Sequence, residues 1–205
     1  MIVIGSPPYS HWVKRKSAIA IVTLALGILA LPSTAAIASD SGAIHPVAAN
    51  SRATIQTKHL AFATLSQRNA KETAANYLRF QAFSRKGLIE QLEYEGYSHK
   101  DAVYGVDANQ VNWKLQAAKS AKNYLRTMAF SKSGLVNQLV YEGYSRAQAT
   151  YGVSKSKANW NAQAVKKAKS YLQSMAFSRS GLIEQLVYEG FTQAQASYAV
   201  SRVGL

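Results

Sequence analysis

The chain has 205 residues, of which 48% are hydrophobic, and it carries 24 basic against 10 acidic side chains, a formal net charge of +14. This hydrophobic content is typical of a globular protein, and the charge favours a polyanionic neighbour such as nucleic acid, anionic lipid or an anionic cell-wall polymer. These residues include no cysteine, which excludes a disulfide, a thiolate metal site, a cysteine nucleophile and a lipid-carrying cysteine among them.

The N-terminal region 1–38 is predicted to be a secretory signal peptide. A basic cluster precedes an uncharged apolar run at 17–31, and small residues follow it. They fit an A-x-A site, so cleavage is expected between Ala38 and Ser39. The run is shorter than the ~20 residues that a spanning helix usually needs, and an uncleaved membrane anchor is the alternative. Residues 39–57 are polar and aperiodic, which predicts a flexible linker.

The rest of the chain repeats with a period of 47 residues. A stretch that begins at Tyr77 recurs, without a gap, at Tyr124 and at Tyr171. A period of this length indicates one supersecondary unit used three times. The predicted repeats span 58–106, 107–153 and 154–205.

A long helix is predicted to open each unit. In the second copy, apolar residues recur with helical spacing from Trp113 to Met128, and Asp107 is the predicted N-cap. The first copy has Ser66 where the tryptophan would stand, so its helix is expected to start earlier, near Lys58. The apolar residues indicate one buried face on each long helix.

Two short helices follow the long one. Ser131 is a predicted N-cap, and Gly143 suits the position just past a helix end, where positive φ is common. Ser145 and Gln148 form a capping box that opens the third helix, which is expected to close at Val153.

The predicted fold class is therefore all-α, with three tandem 47-residue helical repeats that each join a long helix to a short helix-turn-helix. No stretch alternates with a period of two, so no sheet is expected. One unit of this size can bury little core alone, so we expect the copies to pack on one another through the long helices.

The residues that the three copies share point to a known family. In the second copy they are Ala129, Phe130, Ser131, Gly134, Leu135, Gln138, Leu139, Glu142, Gly143, Tyr144, Tyr151, Gly152 and Val153. This pattern, over about 69–200, closely resembles the Ltp-like family of bacterial host cell-surface-exposed lipoproteins. The resemblance implies an extracytoplasmic, surface-retained protein that acts in superinfection exclusion, blocking phage DNA entry by contacting a phage protein. The chain departs from the family's pattern because it lacks the lipid-carrying cysteine.

A polar pair and two tyrosines are the candidate contact residues in each unit. Gln138 and Glu142 are interpreted either as a half-buried pair that caps the turn or meets Tyr141 or Tyr151, or as a contact point for a partner. The repeated aromatic residues are interpreted first as core, and Tyr141 and Tyr144 are the ones expected to be exposed if the unit has a partner surface. The predicted partner-binding residues are Gln91, Tyr94, Glu95, Gln138, Tyr141, Glu142, Tyr144, Gln185, Tyr188 and Glu189.

Basic side chains on the long helices are the second candidate surface, facing a polyanion. They are Lys114, Lys119, Lys122, Arg126, Lys166, Lys167 and Lys169. A helix-turn-helix in a basic protein also suggests DNA binding, but the third helices vary and carry few cations, which disfavours base reading. No second carboxylate keeps its place in all copies, so no enzyme is predicted, and no cofactor or metal site is expected.

Three hypotheses about function follow. The first is an exported, non-enzymatic envelope protein that binds a protein partner, with a phage component as the candidate. The alternative is a wall-associated protein whose lysines bind an anionic cell-wall polymer. The third is a nucleic-acid-binding protein.

Overall fold

The computed structural model of the protein describes residues 63–205. The predicted signal peptide, the linker and the first residues of repeat 1 lie outside this range. The fold of the described part is all-α, with three consecutive units of three helices and no strand among these residues. The helices are α1 Leu65–Phe80, α2 Arg85–Tyr94, α3 His99–Asp107, α4 Trp113–Thr127, α5 Lys132–Tyr141, α6 Arg146–Lys155, α7 Trp160–Ser174, α8 Arg179–Tyr188 and α9 Gln193–Arg202. Unit 1 comprises α1–α3, unit 2 comprises α4–α6, and unit 3 comprises α7–α9.

The long helices α1 and α4 begin at different residues from those predicted. Helix α1 is capped by Thr64, in a capping box with Gln67, so the expected earlier start near Lys58 is wrong. Helix α4 is capped by Asn112, whose side chain accepts a hydrogen bond from the Leu115 amide. Asn112 is the fifth residue after Asp107, the predicted cap, which instead ends α3. An amide side chain can cap as well as a carboxylate, so spacing alone did not choose between them.

Asp107 has a different role from capping, because it joins two helices of unit 1. Arg85, at the start of α2, donates Nε to Asp107 Oδ1 at 2.7 Å and Nη2 to Asp107 Oδ2 at 2.6 Å. This paired hydrogen bonding holds the pKa of the Asp107 carboxyl below its ordinary value.

The turns between the short helices follow the predicted chemistry. Ser131 caps α5, and Gly143 has φ +91°, which a residue with a Cβ rarely adopts. The Tyr144 amide then donates to the Leu139 carbonyl at 3.1 Å, the bond that closes a Schellman turn. The capping box at the start of α6 is also present. The third helix runs to Lys155, two residues past the predicted end.

Each unit has its own hydrophobic core, and the long helices α4 and α7 each also contribute one tryptophan to the core of the preceding unit, a contact between copies of the kind expected. Unit 2 buries Leu135 and Leu139 of α5 against Ala117 and Ala121 of α4, all with no exposed area. Alanine and glycine on the facing helices make this possible, because small side chains let the backbones approach closely. A Cβ on Gly152 of α6 would lie 2.6 Å from the Ala117 carbonyl carbon.

Neighbouring units are joined at two kinds of contact. Trp113 begins α4 but packs against the core of unit 1, and Trp160 begins α7 but packs against the core of unit 2. The N-cap serine of one second helix also bonds to the turn of the next unit: Ser131 Oγ donates to the Glu189 carbonyl at 2.6 Å. Ser84 Oγ makes the equivalent bond to the Glu142 carbonyl. These contacts fix successive turns beside one another.

Candidate functional site

A tyrosine, a glutamine and a glutamate meet inside each unit, where the long helix crosses the second helix. In unit 2 the Gln138 amide nitrogen lies 3.3 Å from Tyr124 Oη and 3.4 Å from Glu142 Oε1. Gln138 lies on α5, Glu142 is the C-cap residue one turn later, and both are half-buried. Their tyrosine partner is Tyr124 on α4, and not Tyr141 or Tyr151 as expected. We call these sets the Tyr-Gln-Glu clusters.

Unit 1 repeats the cluster at a more exposed position. The Tyr77 hydroxyl donates to Glu95 Oε1, and the Gln91 amide lies 3.3 Å from Tyr77 Oη and 3.2 Å from Glu95 Oε1. Burial, followed by the hydrogen bond to Glu95, raises the pKa of the Tyr77 hydroxyl.

Unit 3 adds a cation to the same cluster. The Tyr171 hydroxyl donates to Glu189 Oε1, and Gln185 donates to Tyr171 Oη at 3.0 Å. Lys167 Nζ lies 3.0 Å from Glu189 Oε2 and 5.3 Å from the centre of the Tyr171 ring. The two charged side chains are only 16% and 13% exposed, so this ion pair is largely shielded from water.

Among residues 63–205, no cation forms such an ion pair with the carboxylate of unit 2. Burial raises the pKa of Glu142 from 4.5 to about 7, since desolvation disfavours the charged form. The position of Lys167 is held by Ser120 in unit 2, and the Ser120 hydroxyl accepts a hydrogen bond from Tyr144 Oη at 3.4 Å. The same fold position is therefore neutral and hydroxyl-bonded in one unit and charged in the next.

Two positions change together between the units. Tyr97 and Tyr144 bond to Thr73 and Ser120, at 3.0 Å and 3.4 Å. Unit 3 has a phenylalanine, Phe191, at this tyrosine position and the lysine at the hydroxyl position. Tyr144 is 3% exposed, and burial raises its pKa. The prediction of an exposed Tyr144 is wrong, because its side chain fills the core behind the Schellman turn.

The other predicted tyrosines lie on the surface. Tyr94, Tyr141 and Tyr188 end the three second helices and are 75%, 56% and 79% exposed. None belongs to the core of its unit. We call these three residues the tyrosine row. They directly precede Glu95, Glu142 and Glu189 in sequence.

The predicted basic residues divide into separate groups. Lys119, Lys122 and Arg126 are exposed on one face of α4, and Lys166 Nζ reaches the Arg126 carbonyl at 3.4 Å. Lys114 lies apart from them, 5.8 Å from the centre of the Tyr151 ring. Lys169 is exposed on α7. The prediction that Lys167 faces a polyanion is wrong, because that side chain is enclosed with Glu189.

Comparisons with known proteins give the family. The model of the family described as "Host cell surface-exposed lipoprotein" matches residues 66–108, 112–155 and 159–203, together more than half of the chain. The chain belongs to this family. Each match falls on one structural unit. A search of the curated proteins returned no match.

One solved structure is similar to this chain: that of Ltp, a superinfection exclusion protein from the Streptococcus thermophilus temperate phage TP-J34. The sequences are 36% identical, and the match covers 44% of this chain and 95% of that one. The TM-score is 0.43.

Some residues of the site were missed by the sequence reasoning. Tyr77, Tyr124 and Tyr171 begin the aligned stretches and are the same in all three copies, but helical spacing assigned them only to the core. Their repetition beside a repeated glutamine and glutamate was a signal for a polar cluster. Gln163 has no such signal, because the aligned residue is a glutamine in unit 2, Gln116, but an asparagine in unit 1, Asn69.

Neither metal binding nor membrane crossing has a visible site between residues 63 and 205. No group of three histidine, aspartate or glutamate side chains is placed to hold a metal ion there. None of the helices in this range is long and apolar enough to span a bilayer. The described features are therefore the polar clusters, the tyrosine row and the basic face of α4.

Proposed function

We propose that this chain is an exported protein of the cell envelope that acts in superinfection exclusion. It binds a protein of the infecting phage through the tyrosine row and so blocks entry of phage DNA. Membership of a host cell surface-exposed family supports the location, and the predicted signal peptide agrees with it. The shared motif, through its resemblance to superinfection exclusion proteins, supports the role.

The tyrosine row is the observation that carries this proposal. An exposed position at the end of a helix accepts many residue types, because packing does not select among them. Tyrosine stands there in all three units, although the side chains are 56–79% exposed and outside the cores. Tyrosine is enriched at protein interfaces, where its ring gives contact area and its hydroxyl keeps a polar partner. Packing in the hydrophobic cores does not account for the row, and contact with a partner protein is the explanation that we propose.

A binding role also fits the chemistry of the Tyr-Gln-Glu clusters. Each cluster described above holds one carboxylate, hydrogen-bonded to an amide or a tyrosine hydroxyl. Acid–base hydrolysis by carboxylates needs two such groups placed around one bond. The clusters instead hold the second helix at a set angle to the long helix, which positions the tyrosine at the end of that second helix.

A phage challenge tests the proposal. The test variant has Tyr94, Tyr141 and Tyr188 changed to serine. On cells that express this variant, phage is expected to form as many plaques as on cells without the gene. The matched control changes Leu65, Leu115 and Tyr198 to serine, three side chains that are 66%, 51% and 46% exposed elsewhere. That control should exclude phage as the parent does.

The amount of each variant at the cell surface is measured by immunoblot, so that loss of exclusion is separated from loss of protein. A tyrosine-row variant that reaches the surface in normal amount and still excludes phage would contradict the proposal. Equal loss in the control variant would show that surface apolarity, and not the row, carries the activity.

Export is tested separately. Mass spectrometry of the protein recovered from the envelope is expected to show Ser39 as the first residue, because cleavage follows Ala38. A chain that is recovered from the envelope with its leader intact would support the membrane-anchor alternative. A chain found only in the cytoplasm would remove the proposed location.

A further inference from the structure

A row of three cations on α4 lies between two clefts. Lys119, Lys122 and Arg126 follow one another at helical spacings of three and four residues, so they share one face over about 10 Å of helix. All three are exposed, and none forms an ion pair with a carboxylate of residues 63–205. We call these residues the cationic row.

One cleft separates unit 2 from unit 3 and has a volume of about 500 Å³. The cationic row forms one wall, and Ser156, Ala158 and Gln163 from the start of unit 3 line the rest together with neighbours on α4. A second cleft of about 290 Å³ lies toward unit 1, where Lys119 and Arg126 face the end of α1, including Arg79. No carboxylate lines either cleft.

The fold does not require the cationic row. The positions of Lys119 and Lys122 are Glu72 and Ala75 in unit 1, which builds the same three helices with its own core. The charges are also not neutralised by neighbours, and together they repel one another. A polyanion bound along α4 removes that repulsion, and each contact to it releases counterions.

Gln163 adds a second kind of chemistry to the larger cleft. Its side-chain oxygen Oε1 is buried and has no hydrogen-bond donor among the described residues, which is also true of the equivalent Gln116 in unit 2, but only Gln163 lines a cleft. A buried acceptor is stabilised only when a donor reaches it. Phosphate oxygens carry no proton to give at neutral pH, so a ligand that suits both the row and Gln163 brings a hydrogen-bond donor as well as phosphates, and a polyol hydroxyl is such a donor.

We infer that the cationic row and its two clefts bind a linear polyol-phosphate polymer, of the kind found in anionic cell-wall polymers. The phosphates contact Lys119, Lys122 and Arg126, and a polyol hydroxyl donates to Gln163 Oε1. Two clefts in series on either side of one helix suit an extended chain better than a compact anion. This inference is independent of the tyrosine row, which lies at the ends of other helices.

Calorimetric titration tests the inference with protein exported from cells that express the full 205-residue chain. The probes are poly(glycerol phosphate) and inorganic polyphosphate with the same number of phosphates. The test variant changes Lys119, Lys122 and Arg126 to glutamine. It should bind poly(glycerol phosphate) at least about tenfold more weakly at physiological salt. The slope of the logarithm of its binding constant against the logarithm of the salt concentration should be shallower by about two, since each phosphate contact adds ~0.7 to that slope.

The matched control removes the same three charges elsewhere, as Lys114→Gln, Arg146→Gln and Lys155→Gln. These side chains are exposed outside both clefts. The control should lose no more than about twofold in affinity, the effect of net charge acting at a distance. Equal weakening in the two triple variants would overturn the inference, because it would show diffuse attraction without a site.

Gln163→Leu tests the hydroxyl contact. It should weaken the binding of poly(glycerol phosphate) about fivefold, the value of one hydrogen bond. The affinity for inorganic polyphosphate should stay unchanged, since that probe has no hydroxyl to donate. Equal effects on both probes would overturn the role of Gln163. Preference for phosphatidylglycerol vesicles or for duplex DNA over poly(glycerol phosphate), or no binding of the polymer, would overturn the inference as a whole.

Discussion

Units 2 and 3 bury the same glutamate in two different ways. In unit 2, Glu142 has only neutral neighbours in its cluster, and burial raises its pKa to about 7. In unit 3, Glu189 pairs with Lys167 at 3.0 Å. The comparison shows that the repeat conserves the helix crossing and not the charge state of the residues inside it.

The change of charge is accompanied by a second change in the core. Phe191 replaces the tyrosine that bonds to Ser120 in unit 2, and without that hydroxyl the space is free for a lysine to turn toward Glu189. Either substitution alone would leave a hydroxyl inside the unit without its hydrogen-bond partner, which costs free energy. The two positions should therefore be coupled energetically.

Removing the cation of unit 3 is expected to have the largest effect. Lys167→Met keeps the length of the side chain but leaves Glu189 enclosed without its partner, which should lower the free energy of unfolding by about 3 kcal/mol. Amide hydrogen exchange should place the loss in unit 3. Ser120→Ala, at the equivalent position of unit 2, should cost about 1 kcal/mol. A loss in Lys167→Met no larger than in that control would mean that the ion pair is not stabilising.

Closing the gap between two helices should have the next largest effect. Gly152→Ala places a Cβ 2.6 Å from the Ala117 carbonyl carbon, and such overpacking costs about 1–3 kcal/mol. Unit 3 already has alanine here, as Ala199, so Ala199→Gly should cost only about 1 kcal/mol through helix propensity. Urea unfolding measures both. A neutral or stabilising Gly152→Ala would show that α4 and α6 separate freely.

Replacing Glu142 should stabilise the protein at neutral and higher pH. Its folded pKa lies above the unfolded value, so the folded state binds the extra proton and this group's contribution to stability falls as the pH rises from about 4.5 to about 7. Glu142→Gln removes that loss. With allowance for solvent screening, the free energy of unfolding of this variant should exceed that of the parent by about 1–2 kcal/mol at pH 8. The gain should vanish near pH 4.

The matched variant in unit 3 should behave in the opposite way. Glu189→Gln leaves Lys167 enclosed without an anion, so it should destabilise the protein at pH 8. Thermal unfolding of both variants between pH 4 and pH 8 separates the two cases. Parallel pH profiles for Glu142→Gln and the parent protein would contradict the raised pKa of Glu142.

The smallest difference in stability is expected from the hydrogen bond that joins unit 2 to unit 3. Ser131 and Ser178 both cap a second helix, accepting from a glycine amide at 2.9 Å and 3.1 Å. Only Ser131 also donates across to the next turn, to the Glu189 carbonyl. Ser131→Ala should therefore cost about 1 kcal/mol more than Ser178→Ala, the value of one hydrogen bond. Equal costs would show that this bond does not couple unit 2 to unit 3.

The sequence by itself determined the three units, their all-α fold class and the turns that end the second helices. These features depend on local chemistry: a serine before a helix, a glycine in the left-handed region, and apolar side chains one turn apart. They also recur at a fixed period, so each copy supported the interpretation of the others. The family follows from the same repeated residues.

Only the tertiary structure decided which side chains meet. The periodicity of α5 put Gln138 and Glu142 on one face but could not name Tyr124 as their partner, because that contact spans two helices. It placed Tyr144 on the surface, although the Schellman turn directs that ring inward. It also grouped Lys167 with the other lysines of the long helices. Whether a charge faces water or a carboxylate depends on the angle between helices, and a one-dimensional pattern does not contain that angle.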